Sequence, residues 1–306
     1  MPAHPALAPL AARPAWSWGL LPALLVCLAA PAFFVIQIPW IGWALLAAGL
    51  VAALALAKGR ADAAAKPGLD PAATADSATP RPPSLLRDLS LITVGLLIVS
   101  AIPLEAELDN IAFLRFAAGL GGAVAVPYAI SRWVYRDGVD RRGAIRFPWR
   151  GGARWTSFQW TWLVAVLVLG WLILPFYFIT SGVYQNWPVV DSPDLIARLF
   201  VGVGAVGIWD ELFFICTCFA LLRRHFPDWQ ANGLQAIVFV SFLWELGYRA
   251  WGPLLTIPFA LLQGFIFFKT RSLAYVVTVH LLFDAVVFLV LVHAHNPGML
   301  DWLFLA

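Results

Sequence analysis

The feature that most limits what this chain can become is a succession of nine apolar stretches. They lie at residues 18–36, 39–57, 90–104, 111–130, 161–180, 198–222, 232–249, 252–268 and 273–294. A helix needs roughly 20 mostly apolar residues to cross the hydrocarbon core of a bilayer. Inside that core every backbone N–H and C=O must be satisfied within the segment, which selects helices. Only 12% of the residues are charged and 61% are hydrophobic, against about 25% charged in an ordinary soluble domain. The expectation is therefore an all-α, polytopic transmembrane bundle of eight or nine helices, the short third stretch deciding between the two counts. Residues 18–36, with Ala29-Ala30-Pro31-Ala32 near their end, resemble a signal peptide. Only Arg13 precedes them and a second apolar run follows at once, so they read as a span.

Charge placement divides the chain further. Residues 1–57 read as an N-terminal hairpin, and 58–88, rich in Ala, Pro and Asp, as a disordered cytoplasmic linker. Residues 89–197 form a middle region whose loop 131–157 carries seven arginines with Trp133, Trp149 and Trp155 between them. Such a loop suits an anionic leaflet. Residues 198–294 make a C-terminal core. The basic segments 58–88, 131–157, 223–230 and 269–271 alternate with connections carrying Glu105, Glu107 and Asp109, or Asp191 and Asp194. The positive-inside rule then predicts a multi-pass protein with its N-terminus in the cytoplasm, and the Ala- and Arg-rich composition looks bacterial, which makes the cell inner membrane the expected location. Membrane lipids are the expected surroundings. No basic, aromatic-laced groove points to nucleic acid. Cys27, Cys216 and Cys218 lie in apolar stretches without metal-ligand spacing and read as buried small hydrophobes.

Ionisable groups within a span cost several kcal/mol and mark function by default. Here Asp210, Glu211, Glu245, His280 and Asp284 all fall in the last four spans, with 35 residues from Asp210 to Glu245 and 35 from Glu245 to His280. His280 and Asp284 are i,i+4 and share a helix face. Asp210 and Glu211 are neighbours about 100° apart on an α-helix, so at most one should point squarely at a shared centre. Glu245 lies nearest the outer end of its span. His225, beside Arg223 and Arg224, reads as a helix-end cation, and His293 and His295 as exposed interfacial residues.

The run from Asp210-Glu211-Leu212-Phe213-Phe214-Ile215-Cys216 to Arg223-Arg224 resembles the first motif of the CAAX-protease and bacteriocin-processing (CPBP, or Abi) family of intramembrane proteases. In that family the motif is Glu-Glu-x-x-x-Arg. His280-Leu281-Leu282-Phe283-Asp284 resembles its third motif, His-x-x-x-Asn or Asp. The chain departs from the pattern at Asp210, which stands for the first Glu, at Ile215, which stands for the Arg, and at Glu245, which stands for the second-motif His. A second Glu-x-x-x-Arg, Glu245 to Arg249, leaves no later helix for the third motif. The resemblance implies an intramembrane endopeptidase acting on a membrane-associated or prenylated peptide or protein. Glu211 or Asp210 would be the base that activates water, His280 its partner, Asp284 the orienter and Glu245 an extra acid. Four carboxylates and one imidazole also suggest a divalent cation, zinc or similar, held by Glu211, Glu245 and His280. Two other readings follow from the same residues. One is an inactive family member acting as a membrane scaffold, because the motif Arg and His are lost. The other is an ion-coupled carrier, although no pair of Gly/Pro-broken helices supports it.

Overall fold

The computed structural model describes residues 17–64, 83–104, 107–136, 143–151 and 154–304. Among them are nine helical rods and no strand. They are α1 (Leu20–Phe34), α2 (Pro39–Ala64), α3 (Leu85–Ser100), α4 (Asn110–Tyr135), α5 (Ser157–Thr180), α6 (Pro193–Leu222), α7 (Asp228–Leu246), α8 (Pro253–Thr270) and α9 (Leu273–His295). The expected bundle is borne out. Six rods, α2, α4, α5, α6, α8 and α9, are long and apolar enough to cross a membrane, and α1 is a shorter apolar helix. α3 has 16 residues and α7 opens on the polar stretch Asp228 to Gln235, so neither meets that standard of length and composition. Of the expected linker, 58–64 continue α2 and 85–88 begin α3, while 65–82 lie outside the described residues. So do 1–16, Glu105, and the arginines at 141 and 142.

Local chemistry fixes the helix starts. Ser84, Asp109, Thr156, Ser192 and Ser272 cap α3, α4, α5, α6 and α9 with side-chain oxygens. Each satisfies a backbone N–H that the first turn leaves without a partner. The Ala112 and Ile111 N–H groups hold the Asp109 carboxyl below the usual carboxylate range. Pro39, Pro193 and Pro253 begin α2, α6 and α8, where a missing N–H costs nothing.

α1 and α2 form a hairpin that rests on α7, and α3 pairs with α4. α9 packs against α5 and α6, and the second half of α6 runs through the middle, touching α3, α4, α7, α8 and α9. Close approach there is possible because Gly95 of α3 has no side chain: a Cβ would sit 2.3 Å from the Phe213 ring. One end of the bundle gathers the starts of α3 and α9 with the end of α6. At this end Arg224 donates to Asp88 at 2.7 Å, His225 Nε2 lies 2.6 Å from the same carboxylate, and Leu273 N–H donates to the Pro148 carbonyl. The other end gathers Gln37 with Glu245, Arg198 with Asn110, and Asn296 with the Val190 carbonyl. The basic connections thus fall at the first end and the acidic ones at the second. His293 was expected at an exposed interface. It is 8% exposed, because the segment after α9 folds back over it and brings Asp301 within 3.5 Å. All three cysteines are buried and free.

Candidate functional site

The polar residues of α6 and α9 meet at mid-bundle. α6 is not uniform there. From Glu211 to Phe219 it is a π-helix, and the Ala220 N–H donates to the Ile215 carbonyl five residues back. Such wide turns are rare and frequent at functional sites. This one starts between the two acidic neighbours, and both then reach the same imidazole. His280 Nδ1 lies 2.8 Å from Glu211 Oε1, and His280 Nε2 lies 3.7 Å from Asp210 Oδ2 and 3.7 Å from Asp284 Oδ1. The expectation that only one of Asp210 and Glu211 could address the centre is therefore corrected: they address opposite edges of one ring. All four side chains are buried.

Several residues without charge hold the arrangement. Gln263 of α8 donates from Nε2 to Glu211 Oε1 at 2.6 Å and to the Val276 carbonyl at 3.3 Å. The Phe259 ring stands edge-on to His280 at 4.9 Å between centroids. Trp209 donates to the Leu120 carbonyl at 2.6 Å and stacks on Phe213, which ties the turn bearing Asp210 to α4. Gly207 leaves room for Asp284: a Cβ there would lie 2.0 Å from Asp284 Oδ2. Ile215, at the position of the family's arginine, is fully buried, so the donor that reaches Glu211 comes from Gln263 instead.

Glu245 does not join the ion pairs of His280. At the C-terminal end of α7 it accepts from Gln37 Nε2 at 2.8 Å and lies 3.7 Å from Arg249. A group expected at the centre is thus drawn to the end of the bundle by an amide and a guanidinium within reach. The Glu211, Glu245, His280 ligand set is consequently not assembled. Among the described residues no group of three or more His, Cys, Asp or Glu could hold a metal ion. Glu211 faces Nδ1 of His280 while Asp210 and Asp284 face Nε2, so Glu211 does not share an imidazole nitrogen with the two cavity-side carboxylates.

A cavity of about 340 Å³ opens beside the cluster, walled by α4 and the first half of α6. Its lining is mostly apolar, including Phe116, Leu120, Val203 and Val206. Asp210, His280 and Asp284 reach it and Glu211 does not. Four oxygens at the cluster are buried without a hydrogen-bond partner: Asp210 Oδ1, Glu211 Oε2, Asp284 Oδ2 and Gln263 Oε1. A buried acceptor left unmatched costs about 1–3 kcal/mol, so this is a place built to receive donors. An imidazole nitrogen between two carboxylates at a cavity wall can position and deprotonate a water, while the carboxylate behind the ring fixes its orientation.

The family model described as type II CAAX prenyl endopeptidase, Rce1-like, matches residues 192–286. No curated protein and no solved structure matches the chain. The matched residues run from the start of α6 to two residues past Asp284 and include all four members of the cluster, together with Gln263. The site-bearing segment of this multi-pass helical protein is therefore similar to the Rce1-like type II CAAX prenyl endopeptidases, and the resemblance to the CPBP family read from its motifs holds.

Proposed function

We propose that the protein is an intramembrane endopeptidase that hydrolyses a peptide bond of a membrane-associated, prenylated substrate. One observation carries this reading: His280 presents Nε2 to an apolar cavity between Asp210 and Asp284 while Nδ1 is held by Glu211. In this reading Glu211 accepts a hydrogen bond from Nδ1–H, which keeps its proton, and is itself fixed by Gln263. That leaves Nε2 as the acceptor facing the cavity. A water between Nε2 and the carboxylates of Asp210 and Asp284 would lose its proton to this group as it attacks the carbonyl carbon. The proton would then pass to the leaving amine. The roles thus differ from those the motif implies: Glu211 orients, and Asp210 with Asp284 faces the reaction. The apolar walls suit an isoprenoid chain, and the basic end of the bundle would face the cytoplasm of a bacterial-type inner membrane.

The test is cleavage of a farnesylated peptide and its unprenylated twin by the full-length protein in liposomes. Asp210→Asn and His280→Ala should each lower the rate by 100-fold or more with expression intact, and the unprenylated peptide should be the poorer substrate. Wild-type protein that cleaves neither peptide, or variants that cleave as well as wild type, would refute the peptidase reading and favour a scaffold.

A further inference from the structure

A second cavity system lies on the other side of the cluster, between α5 and α8. Its chamber at the basic end of the bundle has a volume of about 420 Å³. A deeper chamber of about 300 Å³ continues it, and the two share Trp162 and Leu262 as lining residues. Both volumes lie in the range of ordinary ligand sites. Polarity changes along the groove. The outer chamber is lined by Arg154 and Lys269 together with the cap hydroxyls of Thr156 and Ser272. The deeper chamber is lined by apolar side chains such as Val166, Leu174 and Pro258, with Gln263 as an exception. Among the described residues neither chamber has an acidic lining residue.

The junction carries the second observation. Trp162 lines both chambers, and its Nε1 is buried and donates to no acceptor. An indole N–H in such a place normally finds one. The groove therefore offers two cations at one end, a lone donor where the chambers adjoin, and an apolar channel open along the bundle surface at the other. We propose that this groove binds one anionic glycerophospholipid. Its phosphate sits between Arg154 and Lys269, an ester carbonyl oxygen accepts from Trp162 Nε1, and an acyl chain lies along α5 and α8. The proposal does not depend on the peptidase reading. It does place the far end of the chain against the wall bearing Gln263 and Phe259, which contact Glu211 and His280 from behind.

The experiment is native mass spectrometry of the full-length protein released from detergent, titrated with phosphatidylglycerol and, separately, phosphatidylcholine of the same chains. Two cations beside an anionic headgroup correspond to about a 30-fold preference for phosphatidylglycerol at low salt, at a stoichiometry of one. Arg154→Gln with Lys269→Gln should abolish that preference. Trp162→Phe should weaken both lipids about fivefold and leave their ratio unchanged. Equal retention of the two lipids by the wild type overturns the proposal, as does a preference that survives in the double variant. Displacement of phosphatidylglycerol by millimolar inorganic phosphate overturns it too, in favour of a free-anion site. If the double variant does not fold, added salt decides with the wild type alone: the preference must fall as ionic strength rises, and a salt-independent preference overturns the proposal.

Discussion

Replacing Gly207 by alanine separates catalytic geometry from stability. The added Cβ would lie 2.0 Å from Asp284 Oδ2, where ordinary contact begins at about 3.4 Å. The carboxylate must therefore retreat by about 1.4 Å, because the atom in the way is the free end of a side chain and the Gly207 backbone is locked in α6. Alanine at an interior helical position otherwise favours the fold by about 0.5–1 kcal/mol, so no loss of thermal stability is expected. Displacing a reacting group by about 1 Å can cost on the order of 100-fold in rate. Gly204→Ala, one turn earlier, is the matched control, since its Cβ would meet nothing closer than Leu281 Cδ2 at 3.9 Å. Initial rates on the farnesylated peptide, with melting curves for both variants, give the readout. Expected is a loss near 100-fold for Gly207→Ala and less than threefold for Gly204→Ala, with both melting at or above the wild type. Two variants of equal rate would show that the position of Asp284 does not matter, and the water-positioning argument would fall with it.

Asp88→Asn should destabilise the protein by roughly 3 kcal/mol, the low end for removing one member of a buried ion pair, because Arg224 and His225 are only 22% and 11% exposed. A drop of about 5 °C or more in detergent is expected, and a shift under 2 °C would contradict it. Glu245→Gln should leave peptide cleavage within about threefold of wild type, since its ties to Gln37 and Arg249 place it away from the imidazole. A loss as large as that of Asp210→Asn would restore Glu245 to the site.

The parts of the site that carry charge were legible in the sequence. Asp210, Glu211, His280 and Asp284 are costly in hydrocarbon, and their motif spacing pointed to the two elements, α6 and α9, that had to meet. Glu245 misled because its 35-residue interval on either side looked regular. Its depth near the end of a span was the better signal, and the structure follows the depth. Gln263 was not legible: an amide in an apolar helix resembles any tolerated polar residue until its partner is known. Asp88 was hidden for the opposite reason. Its charge, with that of Arg87, placed it in the linker, and the start of α3 was read five residues too late. Apolar patterning found all nine rods, but not the π-helix, since hydropathy at this resolution does not register a change from four to five residues in the hydrogen-bond step.

That wide stretch of α6 has a mechanical consequence. A single rod is fastened at two places, to the imidazole of α9 through its acidic pair and to Asp88 of α3 through Arg224 and His225. In a regular α-helix each residue turns the rod by about 100°, so the azimuth of one fastening dictates that of the other. The segment from Glu211 to Phe219 works as a phase adjuster between them. Deleting one residue from it, with no other change, would swing the basic tip off its anchor or pull the acids away from the ring.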